Sequence, residues 1–332
     1  MVKKYLVTGA TGFLGRTVVA ELLGRGAEVY ALVLKDDPLA AALPAGTNAV
    51  GGDVCDEASL AAFFKNADSE TCVIHCAGIV SVASKPSEKL YKVNVDGTRN
   101  VLRMCFLHKV AKLLYVSSVH VIPEAPRGTV MTETQVVSPE LVKGHYAKSK
   151  AAATDLVFQA AESGLNTSVV FPSGIIGPDD LMKGSITHML LSFLAGKLPL
   201  AVRGGYDFVD VRDVAKGIAS CAERGQPGQG YILSGHYATI RDILGIVSEV
   251  SGLKQIVRYL PNGLARLIAP LYESYSLRKR NPLYFTPYSI AVLASNGRFS
   301  HQAATQTFQY APRSLQTTLR DTVLWLQGGP VL

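Results

Sequence analysis

The chain has 332 residues, of which 48% are hydrophobic, enough for one large α/β domain with a smaller partner and a sizeable core. Its formal net charge is +7 at pH 7. Apart from a short run at 277–280, no basic block interleaved with aromatic residues accompanies that charge, so we do not expect nucleic acid as a partner. The five cysteines form no CxxC pair, which argues against a disulfide framework or a zinc site.

The first residues lack the pattern of a secretory signal, and the most apolar later stretch, 260–272, is shorter than the roughly 20 residues that span a bilayer. We therefore expect a cytoplasmic protein with reduced thiols and without a membrane as partner. His120, His145 and His188 do not have the spacing of metal ligands. Structural or surface roles are expected for them, and no metal is predicted.

Apolar runs of strand length alternate with amphipathic segments of helix length through the first half of the chain. The strand-like runs are KYLVTG, AEVYALVL, TNAVGGD, TCVIHCAG, AKLLYVSS and NTSVVFPSG. This alternation is typical of βαβ units and predicts an α/β fold with a doubly wound parallel sheet that extends to about Pro172. Helices are predicted at Glu88–His108 and Gly144–Ser163, each before one of the last two strands.

The loop after the first strand, in TGATGFLGR, contains three glycines at a spacing of three. Gly9 permits a tight turn, Gly12 lets a pyrophosphate approach the backbone, and Gly15 lets the next helix pack closely on the strand. The loop therefore predicts a dinucleotide site, although its pattern is GxxGxxG and not GxGxxG. The loop residues predicted to bind the cofactor are Gly9, Thr11, Gly12, Phe13, Leu14 and Gly15.

The second strand ends Val33, Leu34, Lys35, where the adenosine ribose of a dinucleotide would lie. A basic residue there receives the 2′-phosphate of NADP, whereas an acidic residue binds the ribose of NAD. Lys35, with Arg16 near it in sequence, favours NADP as the cofactor. NAD stays open as the alternative, with Lys35 a solvated lysine and Asp36 on the ribose.

A tyrosine and a lysine lie four residues apart in YAKSK, at the start of a predicted helix. This spacing puts Tyr146 and Lys150 on one helix face, about 5–6 Å apart at Cβ. A cation so placed stabilises tyrosinate, so that Tyr146 can act as a general acid or base. Upstream, LLYVSSVHV ends a buried strand with Ser117 and Ser118, at the sheet edge where ligands bind.

With a phosphate-binding turn, strand-end serines and a Tyr/Lys pair in this order, the chain resembles the extended branch of the short-chain dehydrogenase/reductase superfamily, the NAD-dependent epimerase/dehydratase family. The segments that carry the resemblance are TGATGFLG, GGDV, HCAG, NVDGTRNVL, YVSS, YAKSK, FPSGIIGP and FVDVRDVAKGI. The resemblance implies a Rossmann sheet with a smaller, interleaved C-terminal domain. After Gly174, glycine and proline become more frequent in the sequence. We therefore predict a dinucleotide-binding domain at 1–174, to which 206–236 returns, and a substrate domain at 175–205 and 237–332.

The resemblance also implies roles for single residues. Those that would surround the cofactor are Asp53 and Val54 at the adenine, Cys76, Ala77 and Gly78 along it, Asn94 steadying it, and Pro172 and Ile175 at the nicotinamide. Ser118 matches the catalytic hydroxyl, and Ser117 would lie nearer the cofactor. In the implied reaction, hydride passes between nicotinamide and a carbonyl or secondary alcohol. Tyr146 transfers the proton, and Lys150 both lowers the pKa of Tyr146 and binds the nicotinamide ribose.

The segment VVFPSGIIGPDD has Phe171 and Ser173 where nucleotide-sugar members usually have an asparagine and a preceding arginine. This departure favours the branch resembling dihydroflavonol reductases, cinnamoyl-CoA reductases and 3β-hydroxysteroid dehydrogenases, whose substrates are apolar ketones and alcohols. Two alternatives stay open: a nucleotide-sugar epimerase or dehydratase with tightly bound NAD, and a non-catalytic NADP-sensing protein. The basic residues that would meet a sugar diphosphate are Arg203, Arg258, Lys279 and Arg280.

The apolar segment Leu260–Tyr275 is followed by the basic run LRKR. It is predicted either to pack as a helical lid over the substrate or to dock on a membrane surface, and the packed lid is the simpler interpretation. The resemblance further implies a homodimer through Glu88–His108 and Gly144–Ser163.

Overall fold

In the computed structural model, which describes residues 4–254, 257–279, 281 and 283–329, strands and helices alternate up to Pro172. The bounds are β1 Lys4–Thr8, α1 Phe13–Gly24, β2 Glu28–Val33, β3 Asn48–Gly51, α2 Glu57–Phe64, β4 Thr71–His75, α3 Glu88–Tyr91, α4 Gly97–Leu107, β5 Lys112–Val116, α5 His145–Glu162 and β6 Thr167–Pro172. A π-helical turn at Lys92–Asp96 joins α3 to α4, so the predicted helix Glu88–His108 is present with this turn inside it.

The remaining elements are shorter and less regular in order. They are β7 Gly174–Ile176, α6 Ser185–Leu194, β8 Leu200–Val202, β9 Gly205–Asp210, α7 Val211–Arg224, β10 Gln229–Leu233, β11 His236–Thr239, α8 Ile240–Ser251, β12 Arg258–Leu260, α9 Asn262–Lys279, α10 Pro287–Ala294, α11 Gln302–Phe308 and α12 Leu315–Leu326.

Seven parallel strands form the main sheet in the order β10-β6-β5-β4-β1-β2-β3. Every residue of β4, β5 and β6 is buried, because helices cover both faces of the sheet. Along β1, Leu6 packs into the core on one face, and Tyr5 and Val7 into the core on the other. The predicted doubly wound α/β fold is confirmed, and the carboxyl ends of β1, β4 and β5 lie side by side, where such sheets bind ligands.

The main sheet does not end at Pro172, because β10 pairs with β6 as a seventh strand and α7 packs against α1. The neighbouring β9 pairs instead with β7 and β11 in a separate three-stranded sheet, and β8 pairs with β12. The segment 206–236 thus contributes to both sheets. The division into a dinucleotide domain and a substrate domain stays a prediction.

The described residues contain neither a helix that could span a membrane nor a group of side chains that could bind a metal ion. None of their helices combines the length and apolar character needed to cross a membrane. Their His, Cys, Asp and Glu side chains also form no group of three that could hold a metal ion.

Candidate active site

The glycine loop between β1 and α1 is shaped by close backbone contacts. Gly9 has φ 66°, and a Cβ there would lie 2.6 Å from the amide nitrogen of Ala77, so both its conformation and its surroundings require glycine. The Gly12 amide donates to the Gly9 carbonyl at 3.1 Å. Gly12 precedes α1 without a side-chain cap, and the first turn has no acidic residue. The free amides of this helix start can therefore receive an anion.

The segment after β2 was expected to present Lys35 or Asp36 to the adenosine ribose, and the structure places a different side chain at the glycine loop. The strand ends at Val33, so Lys35 and Asp36 lie beyond it, both exposed, and Asp36 has φ 61°. It is Asp37 that reaches the glycine loop, where its carboxylate accepts from the Thr11 hydroxyl at 2.7 Å. The same carboxylate accepts from the Leu39 amide at 2.9 Å. The NAD alternative put Asp36 or its neighbour on the ribose, and of the two carboxylates it is Asp37 that contacts the glycine loop.

The residues at the ends of β3 and β4 surround the same edge. The Asp53 carboxylate accepts from the Cys55 amide at 2.8 Å, and Val54 is buried against Gly97. The Ala77 amide donates to the Thr8 hydroxyl at 3.2 Å, which joins the loop after β4 to the end of β1. Pro172 closes β6 and Ile175 lies in β7.

Asn94 lies in the π-helical turn and holds the loop after β4. Its side-chain oxygen accepts from the Ile79 amide at 2.7 Å, and its side-chain nitrogen donates to the Ile79 carbonyl at 3.0 Å and the Ser149 hydroxyl at 2.9 Å. A Cβ on Gly78 would lie 3.3 Å from the Asn94 oxygen and 3.6 Å from Lys150 Nζ. Asn94 therefore fixes the loop that carries Gly78 beside the lysine.

The buried His75 was not singled out from the sequence. Its Nδ1 lies 2.6 Å from the Thr8 hydroxyl and its Nε2 lies 3.0 Å from the Thr98 hydroxyl, so it links β1, β4 and α4. Burial, with the nearby Lys150 charge, lowers the pKa of His75 to about 3. The ring is neutral at physiological pH and positions the strand ends beneath the site.

The predicted catalytic residues meet at the end of β5. Lys150 Nζ donates to the Val116 carbonyl at 2.6 Å and lies 4.5 Å from the centre of the Tyr115 ring. Burial lowers the pKa of Lys150 to about 7. Burial also raises the pKa of Tyr146 to about 12, against the opposing effect of its hydrogen bond with Ser118. At neutral pH Tyr146 is therefore a proton donor.

The two serines after β5 have different partners. Ser117 exchanges a hydrogen bond with the Thr154 hydroxyl of α5 at 2.7 Å, which ties the strand end to the helix that carries Tyr146. The Ser118 hydroxyl accepts from the His120 amide at 3.3 Å. Of the two serines, Ser118 is the one that forms a hydrogen bond with Tyr146.

An aromatic cluster against Tyr146 was not predicted. His120, expected to have a structural or surface role, lies with its ring centre 5.7 Å from that of Tyr146. It stacks on Tyr206 at 5.5 Å, and its Nδ1 and Nε2 lie 3.2 and 3.4 Å from the hydroxyls of Tyr288 and Tyr206. Burial lowers the pKa of His120 to about 4, so the ring is neutral. We call His120, Tyr206 and Tyr288 the aromatic wall.

The described basic residues considered for a sugar diphosphate follow β8 or lie on β12 and α9. Arg203 lines a cavity of about 220 Å³ with Arg241 and Tyr259, and the Arg241 guanidinium lies 4.7 Å from the centre of the Tyr259 ring. Arg258 is exposed on β12 and Lys279 is exposed at the end of α9. Arg280 lies outside the described residues.

These observations fit a bound dinucleotide. The uncapped start of α1 and the bare backbone of the glycine loop suit a pyrophosphate, and Lys150 has donors for ribose hydroxyls beside Gly78. Ser118 and Tyr146 lie at the same edge, with the aromatic wall against Tyr146. This arrangement can hold a substrate oxygen and supply it with a proton.

Comparison with known proteins identifies the family to which these features belong. The model of the NAD dependent epimerase/dehydratase family matches residues 5–234, more than half of the chain. Sterol demethylase protein B of Methylococcus capsulatus is 30% identical over 326 residues, covering 97% of this chain and 98% of the relative. 3 beta-hydroxysteroid dehydrogenase type 7 of Mus musculus is 29% identical over 360 residues, covering 98% and 95%. The crystal structure of gox2253 superposes with a TM-score of 0.84 at 30% identity, covering 98% of each chain.

Proposed function

Because the chain belongs to the NAD-dependent epimerase/dehydratase family, and is thus an NAD(P)-dependent enzyme of the extended short-chain dehydrogenase/reductase type, we propose a specific reaction for it. The protein transfers hydride between NADP(H) and a ketone or secondary alcohol on an apolar framework, such as a steroid-, flavonoid- or aromatic-like compound. Reduction of the ketone is the direction that a protonated Tyr146 serves.

The observation that carries the substrate class is the aromatic wall. Its three rings are neutral at physiological pH, because burial lowers the pKa of His120 to about 4 and raises that of Tyr288 and Tyr206 above its usual value. A flat apolar ring system packs well on such a surface, whereas a sugar diphosphate needs cations. The names of the two sequence relatives, which refer to sterols and steroids, support the same class.

The side chains divide the work as follows. When bound, the nicotinamide supplies or accepts the hydride. Ser118 donates a hydrogen bond to the substrate oxygen and orients it toward Tyr146. Tyr146 donates its phenolic proton to that oxygen as reduction proceeds, and Lys150, when charged, stabilises the tyrosinate that remains. Asn94 holds the loop beside Lys150 through its bonds to Ile79.

The preference for NADP rests on Lys35. It is exposed just past β2, free to turn toward a 2′-phosphate, and Arg16 lies in the adjacent first turns of α1. The contact between Asp37 and Thr11 is the observation that favours NAD, because it puts a carboxylate at the glycine loop. NADP is the cofactor that we propose, with Asp37 occupied by its bonds within the loop.

One observation in the structure supports the nucleotide-sugar alternative. Arg203 and Arg241 line a cavity whose wall includes the Tyr259 ring, and these residue types suit a nucleotide with its phosphates. A homodimer through Glu88–His108 and Gly144–Ser163 and a cytoplasmic location remain predictions. Sedimentation at monomer mass would contradict the homodimer.

The first experiment is titration of the purified protein with NADPH and NADH, followed by turnover of steroid, aromatic and nucleotide-sugar carbonyl compounds monitored by nicotinamide absorbance. We expect turnover of an apolar ketone with NADPH. The variant Lys35→Ser should raise KM for NADPH about tenfold or more and leave that for NADH unchanged. The exposed Lys65→Ser is the matched control. NAD retained through gel filtration, with turnover of a nucleotide sugar alone, would overturn the proposal.

A further inference from the structure

Helix α9 packs with its small and polar residues inside and its large apolar residues outside. The buried residues of α9 are Ala265, Ala269, Glu273 and Ser276. On the opposite face, a stripe of large side chains recurs at helical spacing with exposed fractions of 38–74%. We call these residues the α9 stripe: Leu264, Leu267, Ile268, Leu271 and Tyr275. A contiguous apolar surface of this kind on a helix marks an interaction site.

The inner face of α9 is firmly attached, so the stripe is not a core face turned outward by loose packing. Ala265 and Ala269 pack into a small core with Val202 and Ile290. The buried Glu273 carboxylate accepts from the Ser84 amide at 2.7 Å. Rotating the helix to bury the leucines would break this bond and expose the small core.

The exposed charged residues of α9 are all basic. Arg266, Arg278 and Lys279 are exposed, and the sequence continues with Arg280. The structure describes every residue of α9, and Glu273, the one carboxylate among them, is buried on the far side. An amphipathic helix with basic residues beside its apolar face suits an anionic lipid surface.

A second copy of the chain suits the stripe less well. Parallel pairing of two α9 helices along the stripe would bring their basic ends, each with Arg278 and Lys279, together. This arrangement sets like charges against each other, with no exposed carboxylate of α9 to compensate. Antiparallel pairing would place the two basic ends apart, and no exposed charge of opposite sign on α9 would favour it.

Helix α9, which carries the stripe, contacts two segments that contribute residues to the active site. Ser84, which holds Glu273, belongs to the loop after β4 that begins with Cys76 and Gly78. Helix α10, which follows α9 and packs on it, carries Tyr288 of the aromatic wall.

We propose that α9 docks the protein onto the surface of an anionic membrane. The α9 stripe enters the boundary between headgroups and acyl chains, and Arg278 and Lys279 contact lipid phosphates. The helix then lies in the plane of the interface without crossing it. The sequence favoured a packed lid for this segment, but the exposure of Leu267 and Leu271, 74% and 73%, supports the docking alternative. The proposal holds for any substrate, because it concerns binding alone.

The test is flotation of the full-length protein with vesicles of equal parts phosphatidylcholine and phosphatidylglycerol, without substrate. We expect the protein to float with these vesicles and much less with pure phosphatidylcholine. The variant Leu267→Ser/Leu271→Ser should lower the partition coefficient about tenfold or more. The matched control is Val136→Ser/Leu141→Ser, which removes two other exposed apolar side chains and should bind like the wild type.

A charge variant, Arg278→Gln/Lys279→Gln, should weaken binding several-fold at low salt and show a smaller dependence on salt than the wild type. Failure of the wild type to float with the anionic vesicles would overturn the proposal, as would equal loss of binding in the Val136→Ser/Leu141→Ser control. A wild type that sediments as a dimer, and becomes a monomer in Leu267→Ser/Leu271→Ser without floating with vesicles, would assign the stripe to a second copy instead. Turnover assays are not involved, so either result leaves the proposed reaction to its own test.

Discussion

The phenolic oxygen of Tyr146 is the atom on which the proposed proton transfer depends. Tyr146→Phe should lower kcat for ketone reduction about 100- to 10,000-fold and leave the dissociation constant of NADPH unchanged, because only the proton donor is lost. Tyr288→Phe is the matched control, since it removes a hydroxyl that lies 3.2 Å from His120 in the same cluster. We expect it to lose less than about tenfold. Equal losses in the two variants would show that the proton comes from another group.

Gly144, directly before α5, controls the position of the aromatic wall. It has φ 90°, and a Cβ there would lie 2.2 Å from Cε2 of Tyr288. Gly144→Ala should therefore displace that ring, raise KM for the ketone and lower the free energy of unfolding by about 1–3 kcal/mol. Gly164→Ala is the control, because Gly164 has φ 95° with no atom near its Cβ position. Gly164→Ala should show a similar loss in free energy of unfolding from its positive φ, but KM for the ketone should stay unchanged. A normal KM in Gly144→Ala would contradict this role.

Among the secondary-structure elements, β9 carries a buried acid that makes stability depend on pH. Asp207 accepts from the Ser173 hydroxyl at 2.5 Å and from the Gly235 amide at 2.7 Å, so it joins the ends of β6 and β10 to β9. Burial raises the pKa of Asp207 to about 6. Its folded-state pKa exceeds the unfolded one, so its protonated form stabilises the fold below about pH 4, and this stability is lost as the pH rises through about 6.

Asp207→Asn tests that dependence, since the amide oxygen can accept the same two hydrogen bonds without a charge. At pH 7 the variant should be more stable than the wild type by about 1–3 kcal/mol in urea unfolding. The difference should shrink below pH 4. A variant less stable than the wild type at pH 7 would mean that the charge itself is needed, for instance to face the nearby His236.

The elements that could be predicted from the sequence are those with a strong local pattern. The main sheet and α5, predicted at Gly144–Ser163 and observed at His145–Glu162, follow from periodicity and glycine punctuation. Pairing of β9 with β7 and β11 has no local pattern and depends on tertiary contacts. The aromatic wall could not be predicted for the same reason. His120 is separated from Tyr206 by 86 positions and from Tyr288 by 168, and the sequence does not show that these rings meet.

On the scale of the whole molecule, a buried ion-pair cluster ties the C-terminal helix α12 to α7, which packs on the main sheet. The Arg212 guanidinium bonds Asp210 at 2.7 Å and Asp321 at 2.8 Å, and the two carboxylates are 0% and 1% exposed. Burial acts to lower the pKa of Arg212, but the two carboxylates outweigh it and raise that pKa. Arg313 forms a second link, to Asp213 at 2.8 Å. Loss of the Arg212 cation would leave Asp210 with Arg313 at 3.6 Å and Asp321 with the half-exposed Arg320 at 3.4 Å, both longer contacts than those to Arg212.

We therefore expect Arg212→Met to lower the free energy of unfolding at pH 8 by about 3–5 kcal/mol. Both carboxylates are buried, so their charges cost free energy that the guanidinium offsets in the wild type. Arg99→Met, which breaks an exposed pair with Asp96, is the control and should change stability by less than about 1 kcal/mol. An Arg212→Met deficit no larger than that of Arg99→Met would show that the Arg212 charge contributes little to the stability of the fold.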